Sequence, residues 1–295
     1  MNTPDYNSPA ALKAVMEEHG MAMQKKFGQN FMVNPAARNS IVDMLDIHEG
    51  DVVWEIGPGL GCMTHEILQK GANLTVFEID RGFISLLHDF FAFYESNNLF
   101  RIKEGDVLKN WLPEISAQGV DSRRIKLFGN LPYNIAATFI ADTITKGYLF
   151  DRCVFTVQKE VADRMRAKPS TKNYSSFSVL CQWRYVLSAG IELAPGNFWP
   201  RPNVSSQAVL FMPKNENASA CPDNALFVRL VHTLFSQRRK TLQNNIKGML
   251  PKGIDMQDLF AQSAISPSER AENLTVDDFL RLSETLNSAT LNLDE

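Results

Sequence analysis

Five short runs rich in β-branched and aromatic residues, separated by stretches of helical periodicity, restrict this chain more than any other feature. The runs are 51–56 (DVVWEI), 73–79 (NLTVFEI), 99–105 (LFRIKEG), 124–130 (RIKLFGN) and 151–157 (DRCVFTV); the helical stretches include 60–70, 81–93 and 135–146. Strands alternating with helices predict a mainly parallel sheet covered on both faces. A sixth strand is predicted at 205–212 (SSQAVLFM). Residues 213–223 (PKNENASACPD) read as a linker, and from 224 onward the periodicity is helical with no strand-like run. The expected organisation is an α/β domain over 1–213, with a helical extension at 1–24, then a small all-α domain over 224–295. Ser8 and Asn34, each followed by proline, are placed to cap helices.

The chain has 295 residues and a formal net charge of −3, which on its face argues against a nucleic-acid partner. The charge is not evenly spread. Residues 1–150 carry net −5, residues 151–250 net +8 and residues 251–295 net −6. Four cysteines (Cys62, Cys153, Cys181, Cys221) form no C-x-x-C pair, so reduced thiols are expected, with no disulfide framework and no metal. The longest apolar candidate, 86–94, is interrupted by His88 and Asp89, so no membrane partner is expected. The N-terminal stretch lacks a basic region followed by an apolar one, which predicts a cytoplasmic protein without a secretory signal.

Chemistry concentrates in loops that follow the predicted strands. Glu55-Ile56-Gly57-Pro58-Gly59-Leu60-Gly61 closes the first; its glycines allow a sharp turn and close approach to a ligand. Cys62 stands where a dinucleotide fingerprint wants its third glycine, and taken alone the loop is equally a structural βα turn. Glu78, near the end of the second strand, is placed to accept hydrogen bonds from ribose hydroxyls, a device shared by nicotinamide enzymes and methyltransferases. A solvent-facing strand-end acid is the plain alternative. Gly105-Asp106 follows the third strand, where Asp106 either accepts from an adenine amine or simply makes a turn. Three such loops at one sheet edge favour the ligand reading.

Asn130-Leu131-Pro132-Tyr133 follows the fourth strand. An exocyclic adenine amine attacks a methyl group poorly, because its lone pair is delocalised into the ring. The Asn130 side-chain oxygen and the Leu131 carbonyl suit acceptors that would turn that lone pair outward, and Tyr133 offers a ring for a flipped-out base.

With these residues in view, the chain resembles the rRNA adenine dimethyltransferases (rRNA adenine N6-methyltransferase family), specifically their KsgA-type small-subunit branch. Besides Asn-Leu-Pro-Tyr, the resemblance rests on Lys26-Phe27-Gly28-Gln29-Asn30-Phe31, on Gln158-Lys159-Glu160-Val161, and on 198–206 (FWPRPNVSS). It extends to 235–242 (FSQRRKTL) and Arg270-Ala271-Glu272-Asn273-Leu274, and spans roughly residues 8–287. Leu131 and the 235–242 motif favour this branch over the one acting on large-subunit rRNA.

The resemblance implies a Rossmann-like class I S-adenosylmethionine-dependent methyltransferase domain followed by the helical one. It implies two methyl groups on each of two adjacent adenines in the 3′-terminal hairpin of 16S rRNA. Gln29, Asn30, the backbone around Met32, Gly57, Gly59, Glu78, Asp106 and Asn130 would line the cofactor site. Tyr133 and Phe198 would sandwich the target base, although Phe198 also fits a core aromatic. Met32 and Asn34 depart from the Leu and Asp common in the family. The implied partner is 16S rRNA within an immature small ribosomal subunit, bound by a monomer.

Arg201, Arg238, Arg239 and Lys240, with Lys159, Arg164, Arg166, Lys168 and Lys172, supply much of the +8 segment and fit phosphate contacts as a group. Singly, each reads equally as a solvated surface residue. Two other classes of function compete: an assembly factor that keeps the fold with little catalysis, and a nicotinamide-dependent oxidoreductase. The intact tetrad argues against the first; the second leaves 130–133 and 198–206 unexplained.

Overall fold

The computed structural model describes residues 3–21, 30–131, 133–215 and 220–294, the side chains of residues 133, 134 and 294 excepted. A seven-stranded sheet runs in the order β4-β3-β2-β5-β6-β9-β7. Its strands are β2 (Val52–Ile56), β3 (Asn73–Glu78), β4 (Phe100–Glu104), β5 (Ile125–Asn130), β6 (Arg152–Gln158), β7 (Tyr185–Leu193) and β9 (Ser206–Pro213). The first five in spatial order are parallel; β9 runs antiparallel to β6. A two-residue strand β1 (Phe31–Met32) pairs antiparallel with β8 (Phe198–Trp199).

The chain starts the sheet in the middle with β2, steps outward to β3 and β4, then returns to the other side of β2 with β5 and β6. The carboxyl ends of β2 and β5 therefore flank the point where strand order reverses, and loops leaving that point diverge to leave a crevice. The predicted strands fall on the observed ones to within a residue or two at each end. The central strands are mainly apolar because both faces are covered: Val53, Trp54, Val76, Leu127, Phe128 and Val154 are all buried.

Local chemistry sets the helix starts. Ser8 accepts from the Ala11 amide at 3.2 Å and Pro9 begins α1 (Pro9–Glu18). Asn34 accepts from the Ala36 and Ala37 amides at 2.9 and 3.2 Å, with Pro35 opening α2 (Pro35–Leu45). Asn keeps the cap that Asp would give, because both offer an acceptor oxygen. Helices α3 (Cys62–Gln69), α4 (Arg81–Ser96), α5 (Val107–Gln118) and α6 (Tyr133–Thr145) follow the strands they cross between.

Grouping by proximity gives two compact units, and the division cuts the chain more than once. One takes Met1–Phe139, Leu149–Ala162 and Ser188–Pro213; the other takes Ile140–Tyr148, Asp163–Leu187 and Lys214–Glu295. The second unit thus contains the helix Ser176–Arg184 together with the C-terminal helices Asn224–Phe235, Leu242–Ile246, Met256–Gln262 and Val276–Asp294. Packing explains the grouping: the Trp183 ring lies 4.1 Å from that of Phe227, and the Tyr174 hydroxyl donates to the Leu274 carbonyl at 2.8 Å. Phe235 stacks on Phe279 at 5.8 Å. Among the described residues no helix is long and apolar enough to cross a membrane.

Candidate active site

The loop after β2 is built on three left-handed glycines, Gly57, Gly59 and Gly61, with φ of 71°, 56° and 84°. A Cβ at Gly59 would come within 2.7 Å of the Phe31 ring, and one at Gly61 within 2.6 Å of Phe91. Only glycine satisfies both the backbone and the space. The loop is tied to the next strand by Glu78. Its Oε2 accepts from the Gly59 amide at 3.1 Å; its Oε1 accepts from Ile79 and Asp80 amides at 2.8 and 2.9 Å. A carboxylate offers about four acceptor positions. Three are taken by backbone, so one direction on Oε2 remains for a ribose hydroxyl.

Asp106 caps α5, accepting from the Leu108 amide at 3.0 Å. Among the described residues no donor reaches its second oxygen, which suits an incoming amine. Asn130 ends β5. Its Nδ2 donates to the Asn30 carbonyl at 3.0 Å, and its Oδ1 accepts from the Thr156 hydroxyl at 2.5 Å. On the opposite side, buried Arg38 donates to the Met32 carbonyl at 3.0 Å and to Asn7 at 2.8 Å, and pairs with Glu66 at 3.0 Å. That guanidinium fixes β1 beside the glycine loop.

These loops enclose a cavity of about 290 Å3 at the carboxyl edge of the sheet. Asn30, Met32, Gly57, Gly59, Glu78, Asp106, Asn130 and Leu131 all line it. The size is close to the lower end of small-molecule pockets, roughly 300–1,000 Å3, and the wall mixes apolar surface with a few convergent polar groups. The glycine turn, the remaining Glu78 acceptor and the open Asp106 oxygen together fit an adenosine-bearing cofactor.

Burial shapes the electrostatics. Glu55 is fully enclosed, and desolvation pushes its carboxyl up to about 8, against the opposing hydrogen bond from Thr64 at 2.6 Å. Desolvation also raises Glu78, while its three backbone donors pull the other way. The Cys62 thiol is driven up to about 12 by burial, so it lines the cavity without being a nucleophile. Because the folded protein holds the Glu55 proton more tightly than the unfolded chain, the ligand-free protein should lose stability as pH rises from about 4.5 to about 8. Denaturant unfolding of wild type and Glu55→Gln across that range checks this. The expected difference grows with pH at up to ~1.4 kcal/mol per unit, with the variant the flatter of the two; parallel curves would refute the buried-acid assignment.

Other sequence-derived residues lie elsewhere. Gln29 and Pro132 fall outside the described residues, as does the side chain of Tyr133, whose backbone opens α6. Phe198 is 5% exposed, sits opposite Met32 in the β1–β8 pair, and packs in the hydrophobic core rather than lining the cavity. Arg201 is exposed. Arg239 and Lys240, in the second unit, are also exposed. Arg238 is engaged within its own unit: it pairs with Glu272 at 2.6 Å and donates to the Lys172 and Thr171 carbonyls at 2.8 and 3.1 Å. Lys159 pairs with Glu192 at 3.2 Å. Thr156 and Arg38 were not legible beside the site, because their contacts with Asn130 and Met32 join separate elements.

The chain matches the family model described as ribosomal RNA adenine dimethylase over residues 20–288. It is 45% identical over 289 residues to the ribosomal RNA small subunit methyltransferase A of Treponema denticola, covering 97% of each chain. The same-named protein of Borreliella burgdorferi is 38% identical over 284 residues, 96% of each. Among solved structures, a dimethyladenosine transferase from Plasmodium falciparum superposes with a TM-score of 0.74 at 26% identity, covering 87% of this chain and 97% of that one. The 23S rRNA methyltransferase ErmE shares the fold, with a TM-score of 0.60 at 17% identity over 86% of this chain and 98% of its own. Near-complete coverage at this identity, on a chain whose Asn130 and Leu131 leave the switch point of a doubly wound sheet, makes this protein a member of the ribosomal RNA adenine dimethylase family.

Proposed function

We propose that this protein transfers methyl groups from S-adenosylmethionine to the exocyclic amines of two adjacent adenines in the 3′-terminal hairpin of 16S rRNA. Each adenine receives two methyl groups, and the substrate is an immature small ribosomal subunit met in the cytoplasm by a protein monomer. The observation that carries this reading is the Asn130 amide, anchored at both ends where strand order reverses and lining the same cavity as the glycine loop, Glu78 and Asp106.

The residues divide the work. Residues 1–213 supply the catalytic domain and 224–295 a helical domain that assists substrate binding. Gln29, Asn30, Met32, Gly57, Gly59, Glu78 and Asp106 would hold the cofactor, which supplies an electrophilic methyl on a sulfonium. The Asn130 oxygen keeps one lone pair after accepting from Thr156. Together with the Leu131 carbonyl it accepts from the adenine amine, turning the nitrogen lone pair out of conjugation. Tyr133 stacks on the extruded base. For Phe198 to complete the sandwich its ring must turn out of the packing opposite Met32.

The test is incubation with methyl-labelled S-adenosylmethionine and small subunits lacking the modification, followed by nucleoside analysis. N6,N6-dimethyladenosine is the expected product; its absence with the native protein would leave the assembly-factor reading in its place.

Exposed basic residues hold RNA phosphates in this reading. Arg239→Glu combined with Lys240→Glu should weaken small-subunit RNA binding by roughly tenfold and flatten its salt dependence by about one to two units of log–log slope. Cofactor affinity should not change. An unaltered salt slope would remove this cluster from the interface. Arg238 is left out of the pair because its contacts with Glu272 and the 171–172 carbonyls order its own unit.

A further inference from the structure

We infer that Thr156 is a positioning residue for methyl transfer: its hydroxyl, acting with the Asn30 carbonyl, fixes the orientation of the Asn130 amide. This rests on the rRNA methyltransferase reading above and goes beyond it by naming what holds the acceptor oxygen in place.

Thr156 and Asn130 are register partners on the parallel strands β6 and β5. Thr156 is 1% exposed. A buried hydroxyl needs an acceptor, and among the described residues Thr156 donates to Asn130 Oδ1, at 2.5 Å. At the other end of the amide stands a backbone carbonyl, Asn30, which can only accept. Asn130 must therefore turn Nδ2 toward Asn30, and that leaves Oδ1 toward Thr156. The hydroxyl, able to donate or accept, is obliged to donate. Both ends of the amide are specified, and the reversed orientation would set Oδ1 against the Asn30 carbonyl.

The consequence is chemical. With one lone pair of Oδ1 bound by Thr156, the remaining lone pair has a fixed direction. An acceptor that is already aimed need not be reorganised when the amine binds. Without the hydroxyl, the amide keeps its tether to Asn30 but rocks about it, and the acceptor is spread over many directions. Valine would fill the same space in the strand, so packing alone does not call for threonine here.

The test compares wild type, Thr156→Val and Thr156→Ser in the full-length protein, with S-adenosylmethionine and unmodified small subunits as probes. Thr156→Val should lower kcat about tenfold or more, the equivalent of one lost oriented hydrogen bond, with KM for the subunit and cofactor Kd unchanged. Thr156→Ser should restore kcat to within about threefold. A Thr156→Val enzyme with wild-type kcat, or a Ser variant as impaired as Val, overturns the inference. A double-mutant cycle in unfolding, crossing Thr156→Val with Asn130→Ala, gives a readout independent of turnover. The destabilisation by Thr156→Val should vanish in the Asn130→Ala background; full additivity overturns the bond itself. Should wild type form no dimethyladenosine, the rRNA reading fails by that result, and the unfolding cycle still decides on the Thr156–Asn130 contact.

Discussion

Replacing Asn130 with alanine should reduce dimethyladenosine formation by at least about a hundredfold, the loss typical when one preorganised group is removed from a reacting centre. The protein should still fold. Among the described residues the side chain makes two hydrogen bonds, to Asn30 and Thr156, so truncation should lower stability by about 1–3 kcal/mol. Asn130→Asp is the informative companion. It keeps an acceptor toward the cavity but sets a carboxylate oxygen against the Asn30 carbonyl, so it should be impaired as well, and more than size alone would explain. Single-turnover methylation with thermal unfolding on the same samples separates the two effects. Retention of wild-type turnover in Asn130→Ala would remove this side chain from the chemistry.

Glu78→Ala should produce the second large effect, this time on binding. Its carboxylate holds Gly59, Ile79 and Asp80 by their amides and keeps one acceptor position over the cavity. Loss of a hydrogen bond to a charged group costs about 1.5–3 kcal/mol, which converts to roughly 10- to 150-fold in affinity, before any slackening of the glycine loop. Calorimetric titration with S-adenosylmethionine should therefore show Kd raised at least about tenfold, accompanied by a lower unfolding midpoint. Glu78→Gln should be milder: desolvation already works against the charge at this position, and the amide keeps one acceptor oxygen. Unchanged cofactor affinity in Glu78→Ala would mean that the carboxylate only braces the loop.

The parts of the fold that local chemistry dictates were legible in the sequence. β2, β3, β5 and β6 stand out because strands buried on both faces are mainly apolar runs, and the glycines at 57, 59 and 61 because a sharp turn with left-handed φ favours glycine. Helix caps at Ser8 and Asn34 carry their own signal. Several elements escaped, α5 and β7 among them. α5 has Pro113 in its interior, which interrupts the helical pattern even though Asp106 caps its start and Gly119 ends it. β7 contains Ser188-Ala189-Gly190, poor strand formers, and the end of the Met44 side chain occupies the space beside Gly190.

The site divides in the same way. Residues that line the cavity were legible because they follow strands at one sheet edge. Thr156 was not, since its importance depends on a register between strands 26 residues apart. Arg238 looked like one of three equivalent basic residues, yet Glu272, 34 residues downstream, takes its guanidinium. Phe198 follows the family motif but lies packed opposite Met32, a consequence of the short β1–β8 pairing that no local pattern announces. Linear reading also suggested one boundary near 213–224, whereas residues 163–187 group with the C-terminal helices through contacts such as Trp183 with Phe227.

Mass analysis of the 3′-terminal fragment of small-subunit rRNA bears most directly on the function, using unmodified subunits incubated with this protein and S-adenosylmethionine. The fragment is expected to gain methyl groups on two adjacent adenines only, each converted to N6,N6-dimethyladenosine. A fragment of unchanged mass, or methyl groups on cytosine or ribose instead, would contradict the assignment of Asn130 and its cavity to adenine amines.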